Sequence, residues 1–216
     1  MPESPIAAAT VIFLAAILTN NILLSKFLGM CSFIAISRTM KTAWGMGVAV
    51  TFVTVCTAVI NYFIYYGVLI SAEDAAKLGR AAPLIPADLT YLRFLIFIML
   101  IAGFVQLVEM VIERFSPVLY YNLGIFLPLI TVNCAILGVS ELMINPDYKF
   151  GLLRTTAYAL GSGLGYLLAI CLMAGLRVRL AKAPVPKALR GLGIAVIITG
   201  LMAMAFMGFT GVVDLG

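Results

Sequence analysis

The segment Thr19-Asn20-Asn21-Ile22-Leu23-Leu24-Ser25-Lys26-Phe27-Leu28-Gly29-Met30-Cys31 lies inside a hydrophobic stretch running from residue 6 to residue 36. About 20 helical residues cross the hydrocarbon of a bilayer, so this stretch is too long for one straight span. Its polar residues and Gly29 do not suit a lipid-facing helix. They suit a tilted, interrupted helix packed among neighbours, where irregular backbone can find partners. A second stretch repeats the theme. Leu127-Pro128-Leu129-Ile130-Thr131-Val132-Asn133-Cys134-Ala135 lies in a span that also carries Gly124 and Gly138. Pro128 removes a backbone donor and favours a break or kink. Each interrupted stretch places a cysteine after its helix-breaking residues.

Working outward, hydrophobic residues make up 63% of the chain and charged residues 11%. Soluble domains sit near ~50% and ~25%. Charge-free runs at 4–25, 42–72, 94–108, 115–140, 155–176 and 191–213 predict an all-α integral membrane protein with six transmembrane helices. The spans read as 6–36, 43–67, 91–112, 118–140, 152–175 and 191–212. The start lacks the pattern of a cleaved signal sequence, so the first span is expected to be retained. The interrupted spans are the first and the fourth. Three spans per half make the second half enter from the opposite side, the pattern of an inverted repeat with its site near the bilayer midplane. The halves are taken as 1–115 and 116–216 of one membrane domain. Residue identity between them is poor, so the 3+3 repeat rests on architecture.

The net charge of +5 is no nucleic-acid signature, because the charges sit between spans. Loops one, three and five hold Arg38, Lys41, Arg114, Arg177, Arg179, Lys182, Lys187 and Arg190, with Glu113 as their acid. The termini and the other loops hold Lys77, Arg80, Arg93, Lys149 and Arg154 with most of the acids. Counting Lys and Arg puts both termini outside. The loop 71–90 then lies outside and the basic loop 177–190 inside. The inside loop sets topology or docks a cytoplasmic partner.

The chain has no histidine, which removes His-ligated haem, His-metal sites and His-based proton relays. Its four cysteines, Cys31, Cys56, Cys134 and Cys171, fall in spans, where structural disulfides are not expected. Cys56 and Cys171 sit in plain helix and read as core. Cys31 and Cys134 follow the breaks. As ligands they supply two thiolates, where an iron–sulfur cluster takes four. The rest would come from Cys56 and Cys171 or from a second subunit. Half-helix N-termini would favour the thiolate form and offer free N–H groups to an anionic cluster. From the residues alone, two buried cysteines in kinked helices outweigh the metal reading. Glu109 is a functional candidate as an ionisable residue in a span, or it faces headgroup water. Lys26 snorkels to the interface or neutralises a nearby anion. Asn20, Asn21 and Asn133 hold helices together. Gly45-Met46-Gly47 and Gly161-Ser162-Gly163-Leu164-Gly165 read as small-residue faces for close helix approach, since no strand or Lys-Ser/Thr supports phosphate binding.

Asn20-Asn21, Lys26-Phe27-Leu28-Gly29-Met30-Cys31 and Leu123-Gly124-Ile125-Phe126-Leu127-Pro128-Leu129-Ile130-Thr131-Val132-Asn133-Cys134-Ala135 together resemble the A subunits of Rnf electron-transport complexes. The related E subunits of sodium-translocating NADH:quinone oxidoreductases are nearly as similar. Arg190-Gly191-Leu192-Gly193 and Gly200-Leu201-Met202-Ala203 through Phe206-Met207-Gly208-Phe209 extend the likeness to the last span. Asn20-Asn21 and Lys26 look more like the Rnf member. The resemblance implies a six-helix subunit of a bacterial cytoplasmic-membrane complex, paired with a homologous inverted subunit of Rnf E type and further Rnf subunits. It implies that each of the pair contributes two cysteines, here Cys31 and Cys134, to a shared 2Fe–2S cluster. It also implies electron transfer between ferredoxin and NAD coupled to sodium or proton movement, with no nicotinamide or flavin bound by this chain. The 71–90 loop looks longer than is usual in the family. The competing reading is a six-span substrate-binding component or small carrier whose polar residues line a solute site.

Overall fold

The computed structural model describes residues 5–69, 92–115, 127–144, 151–184, 186 and 191–209. The 71–90 loop, Leu123 to Phe126, both termini and parts of the inside loop lie outside the described residues. Their regular structure is all helical, with no strand among them. The helices are α1 (Pro5–Ile17), α2 (Met30–Ile36), α3 (Met40–Ile64), α4 (Arg93–Phe115), α5 (Leu127–Thr131), α6 (Cys134–Leu142), α7 (Leu152–Leu180) and α8 (Leu192–Met207). A π-helical turn, Tyr65–Leu69, continues α3. Among the described residues three apolar helices are long enough to cross a membrane: Met40–Gly67, Arg93–Val111 and Leu152–Leu180. Ala7–Ile17, Pro128–Leu142 and Leu192–Met207 are shorter apolar helices.

The solvent pattern is that of a membrane protein. Trp44, Phe52, Phe63, Leu95, Met99 and Leu201 are exposed, while Asn21, Ser32, Asn61, Asn133, Ser140 and Thr199 are buried. Large apolar groups outside and small polar groups inside suit a chain whose surroundings are lipid.

The first expected span breaks between Ile17 and Met30. Asn21, fully buried, holds the break together. Its amide NH2 donates to the Ile17 carbonyl at 3.1 Å and the Gly165 carbonyl at 2.9 Å. Its Oδ1 accepts from the Leu23 and Leu24 N–H groups. One side chain thus replaces part of the lost helical ladder and ties it to α7. In the described part of the fourth expected span, the helix is interrupted at Val132 and Asn133. Pro128 lies within α5, beside residues outside those described. Asn133 caps α6, its Oδ1 accepting from Ala135 N–H at 3.1 Å.

α3 and α7 form the central crossing. A Cβ at Gly47 would meet Leu167, and one at Gly163 would meet the Thr51 backbone at 2.8 Å. The pairing advances along α3 as it retreats along α7, so the two helices run antiparallel. On another side, Gly161 and Gly165 face Phe13, Ala16 and Ile17, which sets α1 parallel to α7. The expected small-residue face at 45–47 is corrected in part: Gly47 packs closely, while Gly45 faces open space. α6 is fastened to α3 by Asn61 Nδ2 donating to Ser140 Oγ at 2.8 Å. An Arg93–Glu141 ion pair of 2.8 Å joins the start of α4 to the end of α6. Near the opposite end of the bundle, Arg177 Nη1 donates to the Ile34 carbonyl at 2.9 Å.

Gly163→Val should lower the thermal midpoint of the purified protein, as an overpacked contact costs about 1–3 kcal/mol. Gly45→Val should leave it nearly unchanged. Equal midpoints for the two variants would contradict the crossing.

Candidate functional site

The two breaks meet. The backbone N–H of Gly29 donates to Cys134 Sγ at 2.9 Å. Gly29 is the N-cap of α2, with φ +88°, a left-handed conformation that glycine adopts at little cost. Cys31 is the second residue of α2 and Cys134 the first of α6, so the helix starts that carry the two cysteines converge. The approach needs a residue without a side chain. A Cβ on Gly29 would lie 3.0 Å from Ala135 Cβ, 3.1 Å from Asn133 Oδ1 and 3.2 Å from Tyr166 Cε2. From the other side, Gly138 of α6 faces Leu28 and Ile22 of the first break.

A buried hydroxyl pair braces the junction. Ser32 Oγ donates to the Gly29 carbonyl at 3.0 Å and lies 2.7 Å from Tyr166 Oη. The serine hydroxyl has one proton, already used, so Tyr166 is the donor in the second bond. Tyr166 and Ser32 are nearly inaccessible, at 1% and 0% exposed. Asn133 is also buried, and its Nδ2 has no well-formed hydrogen bond among the described residues. The Cys31 thiol is exposed on the surface of the chain, and Cys134 is half-buried.

Cys56 and Cys171 are half-buried, in α3 and α7. They are less enclosed than core residues would be. Cys171 lines an apolar groove with Trp44, Leu164 and Leu168. Lys26 is exposed and Glu109 half-buried, and neither bonds to the cysteine junction. Among the described residues no group of three or more Cys, Asp or Glu is placed to hold a metal. The junction therefore offers two soft thiols, a glycine cradle and a buried amide beside Tyr166. That set fits half the ligation of a thiolate-bound iron–sulfur cluster. Tyr166 and Ser32 were missed by the sequence reading. The available signal was a tyrosine amid the small residues of 161–165.

Fold and junction define a membrane subunit with paired cysteines at the meeting of two broken helices. A family model described as Rnf-Nqr subunit, membrane protein, matches residues 9–213, and the chain belongs to that family. It is 47% identical over 201 residues to the E subunit of the Na(+)-translocating NADH-quinone reductase of Serratia proteamaculans, covering 93% of this chain and 96% of that one. It is also 47% identical over 200 residues to the A subunit of the Na(+)-translocating ferredoxin:NAD(+) oxidoreductase complex of Acetobacterium woodii, covering 93% and 95%. The A subunit of the ion-translocating oxidoreductase complex of Syntrophotalea carbinolica is 46% identical over 206 residues, covering 94% and 96%. The chain is thus a multi-pass membrane subunit of an ion-translocating oxidoreductase. Identity at this level does not separate the ferredoxin-linked from the quinone-linked relatives.

Ser32→Ala should destabilise more than Tyr166→Phe. The first leaves a buried tyrosine hydroxyl without its acceptor, at about 1–3 kcal/mol, while the second removes one bond worth about 1 kcal/mol. Thermal unfolding of both variants checks the order, and the reverse order would contradict the donor assignment. Gly29→Ala should cost about 1–3 kcal/mol through the forced left-handed backbone.

Proposed function

We propose that this chain is the membrane electron-relay subunit of a ferredoxin:NAD+ oxidoreductase complex coupled to Na+ or H+ translocation. In this reading Cys31 and Cys134 hold half of an intramembrane 2Fe–2S cluster, and a homologous inverted subunit of Rnf E type supplies the other half. The observation that carries it is the Gly29 N–H bond to Cys134 Sγ, which brings the two cysteine-bearing breaks to one point. Exposure of the Cys31 thiol supports a site completed from outside the chain. The names of the relatives support the redox class.

When bound, such a cluster accepts and releases one electron. The chain's own residues would set the conditions for that. The Gly29 N–H would lie next to the anionic Cys134 thiolate and offset its charge. The bilayer and the apolar core would exclude water. Tyr166 and Ser32 would hold the Gly29 peptide in place.

The reading also assigns six spans. α1 with α2, α3 and α4 form one repeat, about 1–115. α5 with α6, α7 and α8 form the second, about 116–216. The antiparallel packing of α3 on α7, corresponding members of the two halves, supports this inverted relation. Both termini would face the outer side of the bacterial cytoplasmic membrane. Reporter fusions at Gly216 should then give an external signal, and a cytoplasmic signal would reject the topology.

Cys31→Ser and Cys134→Ser complexes should lose cluster iron, the reduced-state spin-resonance signal and ferredoxin-dependent NAD reduction, because a hydroxyl binds iron poorly. Cys56→Ala and Cys171→Ala should cost roughly 1 kcal/mol of packing or less and keep the signal. Isolated chain should hold little cluster. If Cys31→Ser and Cys134→Ser complexes keep signal and activity, the ligand assignment falls and a carrier without redox cofactor replaces it.

A further inference from the structure

Away from the cysteines, Arg38 and Arg177 line one cavity of about 460 Å³, together with Ile34, Leu180, Gly191 and Leu192. Arg177 is fixed by its bond to the Ile34 carbonyl, whereas Arg38 is exposed and makes no hydrogen bond or ion pair among the described residues. The acids of the described residues are Glu109, Glu113 and Glu141, and none pairs with either arginine. Glu141 is engaged by Arg93 near the other end of the bundle. Two cations lining one cavity, with no acid paired to either among the described residues, call for an anion.

The surroundings specify what kind of anion. Leu180 is shared with a second, apolar groove of about 500 Å³ between α7 and α8, lined by Leu176, Ile198, Leu201 and Met202, with Arg179 on its wall. A basic cavity adjoining an apolar groove matches a phosphate diester joined to a hydrocarbon chain. A small soluble anion would use the cavity and leave the groove empty. Basic pockets between transmembrane helices are a recurrent way to hold anionic lipid headgroups.

We propose that this is a binding site for one anionic glycerophospholipid, its phosphate between Arg38 and Arg177 and an acyl chain in the α7–α8 groove. The site is independent of the cysteine junction, so its test does not depend on the redox reading.

The test uses the purified complex in detergent, titrated with phosphatidylglycerol and read by native mass spectrometry. Phosphatidylcholine and inorganic phosphate form separate arms. Wild type should retain phosphatidylglycerol in preference to phosphatidylcholine, with millimolar phosphate failing to displace it. Arg38→Gln should weaken retention about fivefold, the scale of one basic residue at an anionic lipid surface. Arg38→Lys should keep most of the binding, and Arg154→Gln, near the start of α7, should change nothing. Arg38 makes no bond among the described residues, so a failure to fold is not expected, and Arg38→Lys serves as the check on assembly. Equal retention of both lipids, or unchanged binding in Arg38→Gln, would overturn the proposal. Displacement by inorganic phosphate would overturn it in favour of a small-anion site.

Discussion

A helix cannot break inside a bilayer without leaving backbone groups that water does not reach, and each such group costs several kcal/mol. The rest of this structure depends on how that constraint is met. At the first break, the Asn21 side chain accepts two N–H groups and donates to two carbonyls. It stands in for several ladder bonds and joins α1 to α7. At the second, Asn133 caps α6. With the breaks stabilised, α2 and α6 are free to start at the same place, and a peptide N–H meets a thiol there.

The glycines supply the geometry that the asparagines permit. Gly47, Gly161, Gly163 and Gly165 let α1, α3 and α7 approach until backbone and side chain touch. Gly29 serves a different purpose. Its left-handed backbone turns the chain into α2 while its missing side chain admits Ala135, Asn133 and Tyr166. Tightness matters here because lipid offers no hydrophobic drive for helix association, so van der Waals contact and buried hydrogen bonds must hold the helices. The same packing leaves the Cys31 thiol at the surface, where a second subunit could reach it.

The two ends of the bundle are treated differently. Near one end, Arg93 meets Glu141 and its charge is spent inside the chain. Near the other, Arg177 meets only a carbonyl and Arg38 meets nothing among the described residues. There is an excess of basic residues there without an acidic partner among the described residues. It gives that end an electrostatic character suited to an anionic leaflet.

Much of this was legible in the sequence. The apolar runs specified a helical membrane protein because hydrocarbon tolerates little else. Thr19 to Gly29 and the stretch around Asn133 marked broken spans because polar residues and glycine are poor company for lipid. The glycines of 161–165 marked a packing face. Three things were decided only in three dimensions. In the fourth span the helix is interrupted at Asn133, whose side chain turns out to cap α6. Gly45 and Gly47, two residues apart, received opposite environments, because helical rotation turns one toward α7 and the other away. Tyr166 and Ser32 became partners across a sequence separation of 134 residues. No local pattern encodes such a contact, since it exists only once α2 and α7 have been packed side by side.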